Sequence, residues 1–184
     1  MTAPARAWAA ELLYVWFHHL RPRDWFAATP DTNDMLRRRF GRELTMLGAR
    51  PGHEFLDGPA TALAAVLLFD QIPRNLHGAS ARAYAFDPLA RAITHGALAR
   101  GWERHLKPAQ RQFLLMPLMH SEEIADQRLS LAQFAQLPRR FGGAYAQSHY
   151  RAVARFGRFP HRNAALGRTS TPAELRAVAN GLSW

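Results

Sequence analysis

Cysteine is absent from this chain of 184 residues, which excludes disulfides, thiolate metal ligands and a cysteine nucleophile. Any metal would have to take imidazole or oxygen ligands. Lysine is nearly absent as well. Lys107 is the sole lysine among 24 basic residues, so the formal charge of +10 is carried by arginine. No run approaches the roughly 18 apolar residues of a membrane span. The opening MTAPARAWAAELLYVWFHHLRPRDW is interrupted by Glu11 and carries His18 and His19 after its apolar stretch, a poor core for a signal peptide, so a cytoplasmic protein with no membrane association is expected. There is no phosphate-binding glycine loop, dinucleotide fingerprint, HExxH pair or GxSxG elbow, and no cofactor is therefore expected.

Hydrophobic residues make up 48% of the chain and charged residues 21%, a composition that builds a core rather than a disordered chain. The length calls for one domain, residues 1–184. Apolar spacing is helical almost throughout, and strand alternation is nearly missing. A first helix over about 5–20 carries Leu12, Leu13, Trp16 and Phe17, with Trp25 and Phe26 folding back onto it. A second starts after Asp31 or Asn33. A central helix from Pro59 should end at Pro73, and another follows Asp87 as its cap. Helices from Pro108 and from Ser121 form a hairpin, with Pro117 either kinking or ending the former. A further helix covers 139–156, and Thr171, Pro172 and Glu174 make a capping box for the last. The expected fold class is all-α, an array of antiparallel helices.

Three polar runs stand out. RFGRFPHRN at Arg155 to Asn163 gathers three guanidinium groups, an imidazole and an amide, donors suited to an anion or carboxylate. DQIPRN supplies Asp70, Gln71, Arg74 and Asn75, and PLMHSEEIADQ supplies His120, Ser121, Glu122 and Asp126. Together with WF at Trp16 and Phe17 and LGRTST at 166–171, these motifs cover almost the whole chain. In their order and spacing the chain resembles a bacterial family catalogued as a domain of unknown function, number 924. The resemblance implies an all-helical fold of tetratricopeptide-like hairpins and supplies no reaction. An LLYVWF run stands where an acidic residue often precedes the aromatic pair in that family.

The leading expectation is a pocket for a small anionic or carboxylate-bearing metabolite. Arg155, Arg158 and Arg162 would grip it, His161 and Asn163 orient it, and Asp70 with Glu122 hold the donors. Gln71, Arg74 and Asn75 would add hydrogen bonds. An enzymatic alternative gives proton transfer to His120 or His161, with Glu122 or Asp126 orienting it or binding a metal, because imidazole titrates near working pH. Ser121 reads as a helix cap rather than a nucleophile. No metal site is expected, since no second histidine completes a recognised ligand set. The arginines could instead clasp helices by pairing with Asp70, Glu122, Glu123 or Asp126. A helical module binding an acidic protein, and a homodimer, remain open. Nucleic acid is disfavoured because the arginines are spread along the chain and several sit near carboxylates.

Overall fold

The computed structural model describes residues 6–27 and 29–181, and no strand occurs among them. The helices are α1 (Ala7–Tyr14), α2 (Pro30–Leu47), α3 (Pro59–Val66), α4 (Ile72–His77), α5 (Asp87–Leu98), α6 (Pro108–Met119), α7 (Ile124–Phe134), α8 (Gly143–Phe156) and α9 (Pro172–Ala179). α3 is the axis of the core. All residues from Thr61 to Val66 are buried, as expected of a helix that is apolar all round. α1, α5 and α6 pack against it.

Two π-helical turns interrupt the regular rise. Val15–His19 extends α1, closed by the Leu20 N–H on the Val15 carbonyl at 2.9 Å. Leu67–Gln71 joins α3 to α4, closed by the Ile72 N–H on the Leu67 carbonyl. The second turn corrects the expectation that Pro73 ends the helix. The wider turn accommodates the pyrrolidine ring, whose missing N–H would break an ordinary α-helical ladder, and the chain stays helical to His77.

Other boundaries also move. α2 starts at Pro30, capped by Thr29, whose Oγ1 accepts the Thr32 N–H at 3.3 Å. Asp87 is the first residue of α5 and caps nothing, because its carboxylate is taken by arginines described below. Pro117 lies inside α6. α7 begins at Ile124 rather than Ser121. The capping box of α9 forms as read: Thr171 Oγ1 accepts from the Glu174 N–H at 3.2 Å, and Glu174 Oε2 accepts from the Thr171 N–H at 2.7 Å.

Trp25 does fold back. Its Nε1 donates to the Trp16 carbonyl at 2.7 Å, and its ring meets Phe113 of α6 edge-on at 5.1 Å. Phe26 stacks on the same Phe113 at 6.1 Å while staying 61% exposed. The segment between α1 and α2 thereby becomes one wall of a cavity whose floor is α6.

Candidate functional site

The cavity has a volume of about 520 Å³. Three successive turns of α6 present Gln112, Met116 and His120 to it, since residues four apart share a helix face. Gln71, Arg74 and Asn75 enter from the π turn and α4, and His161 and Arg162 from the segment after α8. His149 comes from α8, and Arg140 and Tyr145 from near its start. Trp25, Phe26, Met116 and Met119 supply apolar wall.

Asp70 sits directly behind this wall, 0% exposed. Its Oδ1 meets His120 Nδ1 at 2.7 Å and Arg74 Nη1 at 3.2 Å, and its Oδ2 accepts from the Gln71 side-chain amide. Burial raises the carboxyl's pKa, but Arg74 and His120 outweigh it and hold the group below the usual carboxylate range. An ionised Asp70 requires the proton on His120 Nδ1. Burial also depresses the His120 pKa, against the pull of Asp70. The imidazole is therefore neutral near pH 7, with its lone pair on Nε2. Nε2 makes no hydrogen bond among the described residues.

Arg74 is saturated. Besides Asp70, it forms a bidentate pair with Asp87 at 2.9 and 3.0 Å and donates to the Asp70 carbonyl. Arg162 is not. It is 6% exposed, and its guanidinium lies between two rings, 4.7 Å from the Tyr84 centroid and 4.4 Å from that of Phe159. Nη1 alone is engaged, on the His120 carbonyl at 3.0 Å and on Asp87 Oδ2 at 3.4 Å. Nε is a buried donor with no acceptor among the described residues. Burial and the neighbouring Arg74 push the pKa of this guanidinium down, as befits a cation short of counter-charge.

Two more imidazoles complete the ring of polar groups. His149 Nδ1 donates to the Tyr145 carbonyl at 2.7 Å, and burial drives its pKa down to about 3, with His120 adding to the effect. Burial and then Arg162 take His161 to about 4. Gln112, 8% exposed, makes no side-chain hydrogen bond among the described residues, although its amide faces the cavity.

Several expected members lie elsewhere. Arg155 is on the outer surface, over the Phe156 ring at 4.9 Å. Arg158 pairs with Glu174 at 2.7 and 2.9 Å. Arg168 rather than Arg158 claims Glu122, at 2.6 and 2.9 Å, and Glu122 also accepts the Phe159 N–H at 2.7 Å. Asn163 is buried between Arg168 and Ser170. These contacts form a clasp that fixes the loop after α8. The expected grouping of His120, Glu122 and Asp126 is dispersed as well. Asp126 takes His95 Nε2 at 2.7 Å and the Ser121 hydroxyl at 2.7 Å, beside a shallow groove lined by Arg91 and Glu123. Ser121 also accepts the Glu123 N–H at 3.1 Å, as a turn-stabilising hydroxyl does.

Sequence reasoning missed Asp87, Gln112, Tyr84 and His149. Gln112 was signalled by its place two turns before His120 on one helix. Asp87 was hidden by its resemblance to a cap. No group of three or more His, Asp or Glu side chains suited to a metal ion occurs among the described residues, and none of their helices is long and apolar enough to cross a membrane.

A model of a bacterial protein family of unknown function, DUF924, matches residues 12–181. The chain belongs to this family. The structure of a protein of unknown function, ATU0120 from Agrobacterium tumefaciens, superposes with a TM-score of 0.89 at 34% identity, over 95% of this chain and 98% of that one. No curated protein matches the chain. The family assignment fixes the all-helical fold and leaves the chemistry to the residues of the cavity.

Proposed function

We propose that this DUF924 protein binds a small amphiphilic monoanion, with its carboxylate on Arg162 and its apolar body along Met116, Trp25 and Phe26. The unsatisfied Arg162 guanidinium carries this reading. Stacking between Tyr84 and Phe159 fixes its plane, and the bonds of Nη1 leave Nε as a buried donor. Such a donor costs about 1–3 kcal/mol, and Nη2, which takes no protein acceptor among the described residues, is the nitrogen left to a ligand. Preorganisation also lowers the entropic cost of gripping a planar carboxylate.

The charge balance supports one negative charge on the ligand. Arg74, Arg140 and Arg162 line the cavity with no lining carboxylate among the described residues, and Asp70 and Asp87 behind it neutralise two of the three. The three neutral imidazoles add hydrogen-bonding capacity without charge. A volume of about 520 Å³ falls in the range of small-molecule sites, roughly 300–1,000 Å³. Gln112 lies eight residues before His120, about 12 Å along the helix at 1.5 Å per residue. A neutral hydrogen-bonding group at the far end of the ligand would satisfy its amide.

The test compares 4-phenylbutyrate with its neutral amide by calorimetric titration. Wild-type protein should prefer the acid by about tenfold or more, the worth of a charge-assisted hydrogen bond of at least 1.5 kcal/mol. Arg162→Met should abolish the preference while the protein stays folded. Equal binding of acid and amide by the wild type, or binding of neither, refutes the reading.

A further inference from the structure

The binding reading leaves one group of the wall unused. His120 Nε2 is an imidazole nitrogen with its lone pair fixed, its ring oriented by a fully buried carboxylate at 2.7 Å and its own hydrogen-bonding capacity unfilled. A purely structural histidine satisfies both nitrogens or faces bulk water. This one is 12% exposed in its side chain and faces a cavity. The carbonyl of the same residue accepts from Arg162 at 3.0 Å, which puts the base and the anion anchor side by side.

We propose that His120 is the general base of a hydrolase, activating water against the ester carbonyl of a carboxylate-bearing substrate, with Asp70 as its positioning residue. The proposal rests on the Arg162 anion site described above. The nearby hydroxyl that could have served as nucleophile, Ser121, is turned onto Asp126. The cavity wall holds no serine, threonine, lysine or carboxylate among the described residues. The hydroxyls on the wall are the phenols of Tyr84 and Tyr145, and water is the nucleophile of the proposed step, supplying also the proton that the base removes.

A water O–H proton moves to His120 Nε2 while the oxygen bonds to the carbonyl carbon. The tetrahedral intermediate then expels the alcohol by breaking the C–O bond, and the leaving oxygen takes the proton back from the imidazolium. Asp70 stays ionised throughout and stabilises the imidazolium that forms, the role of the carboxylate in a His–Asp pair. No group is oxidised or reduced.

The groups facing His120 are Asp70, Arg74, Arg162, His149 and His161. Of these only the imidazoles titrate between pH 3 and 7, and His149 and His161 do so near 3 and 4. Burial lowers the His120 pKa against the pull of Asp70, and the acid limb that His120→Asn abolishes is the one that belongs to it.

The experiment measures hydrolysis of mono-4-nitrophenyl glutarate, which carries a carboxylate and an activated ester, alongside binding of 4-phenylbutyrate. His120→Asn keeps a donor for Asp70 while removing the base. It should bind 4-phenylbutyrate as the wild type does and hydrolyse the ester about 10²–10⁴-fold more slowly, the usual contribution of a general base. Asp70→Asn should lower the plateau rate and move the acid limb to lower pH, because the imidazole loses its anionic partner. If His120 were not the titrating base, Asp70→Asn would leave the limb in place. His105→Asn, on the exposed surface, should leave the rate unchanged. Wild-type hydrolysis no faster than that of His120→Asn, with both proteins binding 4-phenylbutyrate, overturns the hydrolase. Failure of the wild type to bind 4-phenylbutyrate overturns the anion site and this proposal with it.

Discussion

Replacing His149 with asparagine should change the acid sensitivity of the fold by an amount that follows from one buried imidazole. His149 is 5% exposed, edge-on to Phe159 at 5.4 Å and 6.1 Å from His120. Burial, with His120 and Arg162 adding to it, lowers its pKa from 6.5 to about 3. In the unfolded chain the same group binds a proton near pH 6.5. The sign follows directly: above pH 6.5 neither state is protonated and the group contributes no pH dependence. Below pH 6.5 the unfolded state gains a proton that the folded state refuses, so stability falls by about 1.4 kcal/mol per pH unit until pH approaches 3. Between pH 7.5 and 5.0 the loss from this residue comes to about 2 kcal/mol. Asparagine retains a donor for the Tyr145 carbonyl and cannot titrate. Urea unfolding of both proteins at pH 7.5 and 5.0 isolates the effect, because a cost from lost ring packing appears equally at both values. The asparagine variant should recover about 2 kcal/mol at pH 5.0 relative to its deficit at pH 7.5. A wild-type-to-variant difference that is the same at both pH values would refute a buried neutral His149.

Two further substitutions test the clasp after α8. Glu122→Gln leaves Arg168 without its carboxylate in a half-buried setting and should cost about 1–2 kcal/mol in urea unfolding at pH 7. Because Arg168 and the Phe159 N–H hold the Glu122 carboxyl below its ordinary value against burial, this contribution should persist down to about the normal carboxylate pKa and vanish at lower pH. Thr171→Ala removes the cap of α9 and should cost about 0.5–2 kcal/mol in thermal or urea unfolding, with no change in 4-phenylbutyrate affinity.

Helical spacing and capping residues made the fold class legible, and α9 was readable residue by residue because a capping box is a local device. What could not be read were features decided by tertiary partners. Pro73 is a terminator on local grounds, yet the preceding π turn carries the helix past it. Asp87 has the look of a cap, but two arginines distant in sequence claim its carboxylate. The polar motifs read as compact groups, and the fold divides each of them. PLMHSEEIADQ looks like one cluster, whereas the turn at 120–123 sends His120 to Asp70, Glu122 to Arg168 and Asp126 to His95. Within RFGRFPHRN only His161 and Arg162 reach the cavity.

That division within one motif has a physical basis. A guanidinium can act as a ligand anchor only if the protein leaves its donors unfilled, and an unfilled buried cation is costly. Arg158 and Arg168 use bidentate or near-bidentate pairing with Glu174 and Glu122, which fixes the loop. The loop in turn places Arg162 between Tyr84 and Phe159 with only one terminal nitrogen satisfied. At the other wall, the π turn brings Asp70 and Gln71 behind His120 while their neighbours Leu67, Leu68 and Phe69 remain in the core. An added residue in a helical turn rotates everything after it by about one residue's phase, roughly 100°. Local irregularity thus lets a buried, largely apolar helix deliver a carboxylate to a polar cavity without interrupting the core. The two irregular devices, the π turn before Pro73 and the clasped loop after α8, converge on His120 from opposite sides. Stability at this site is given up at Arg162, through a buried donor without an acceptor among the described residues, and at His149, through a neutrality that burial enforces.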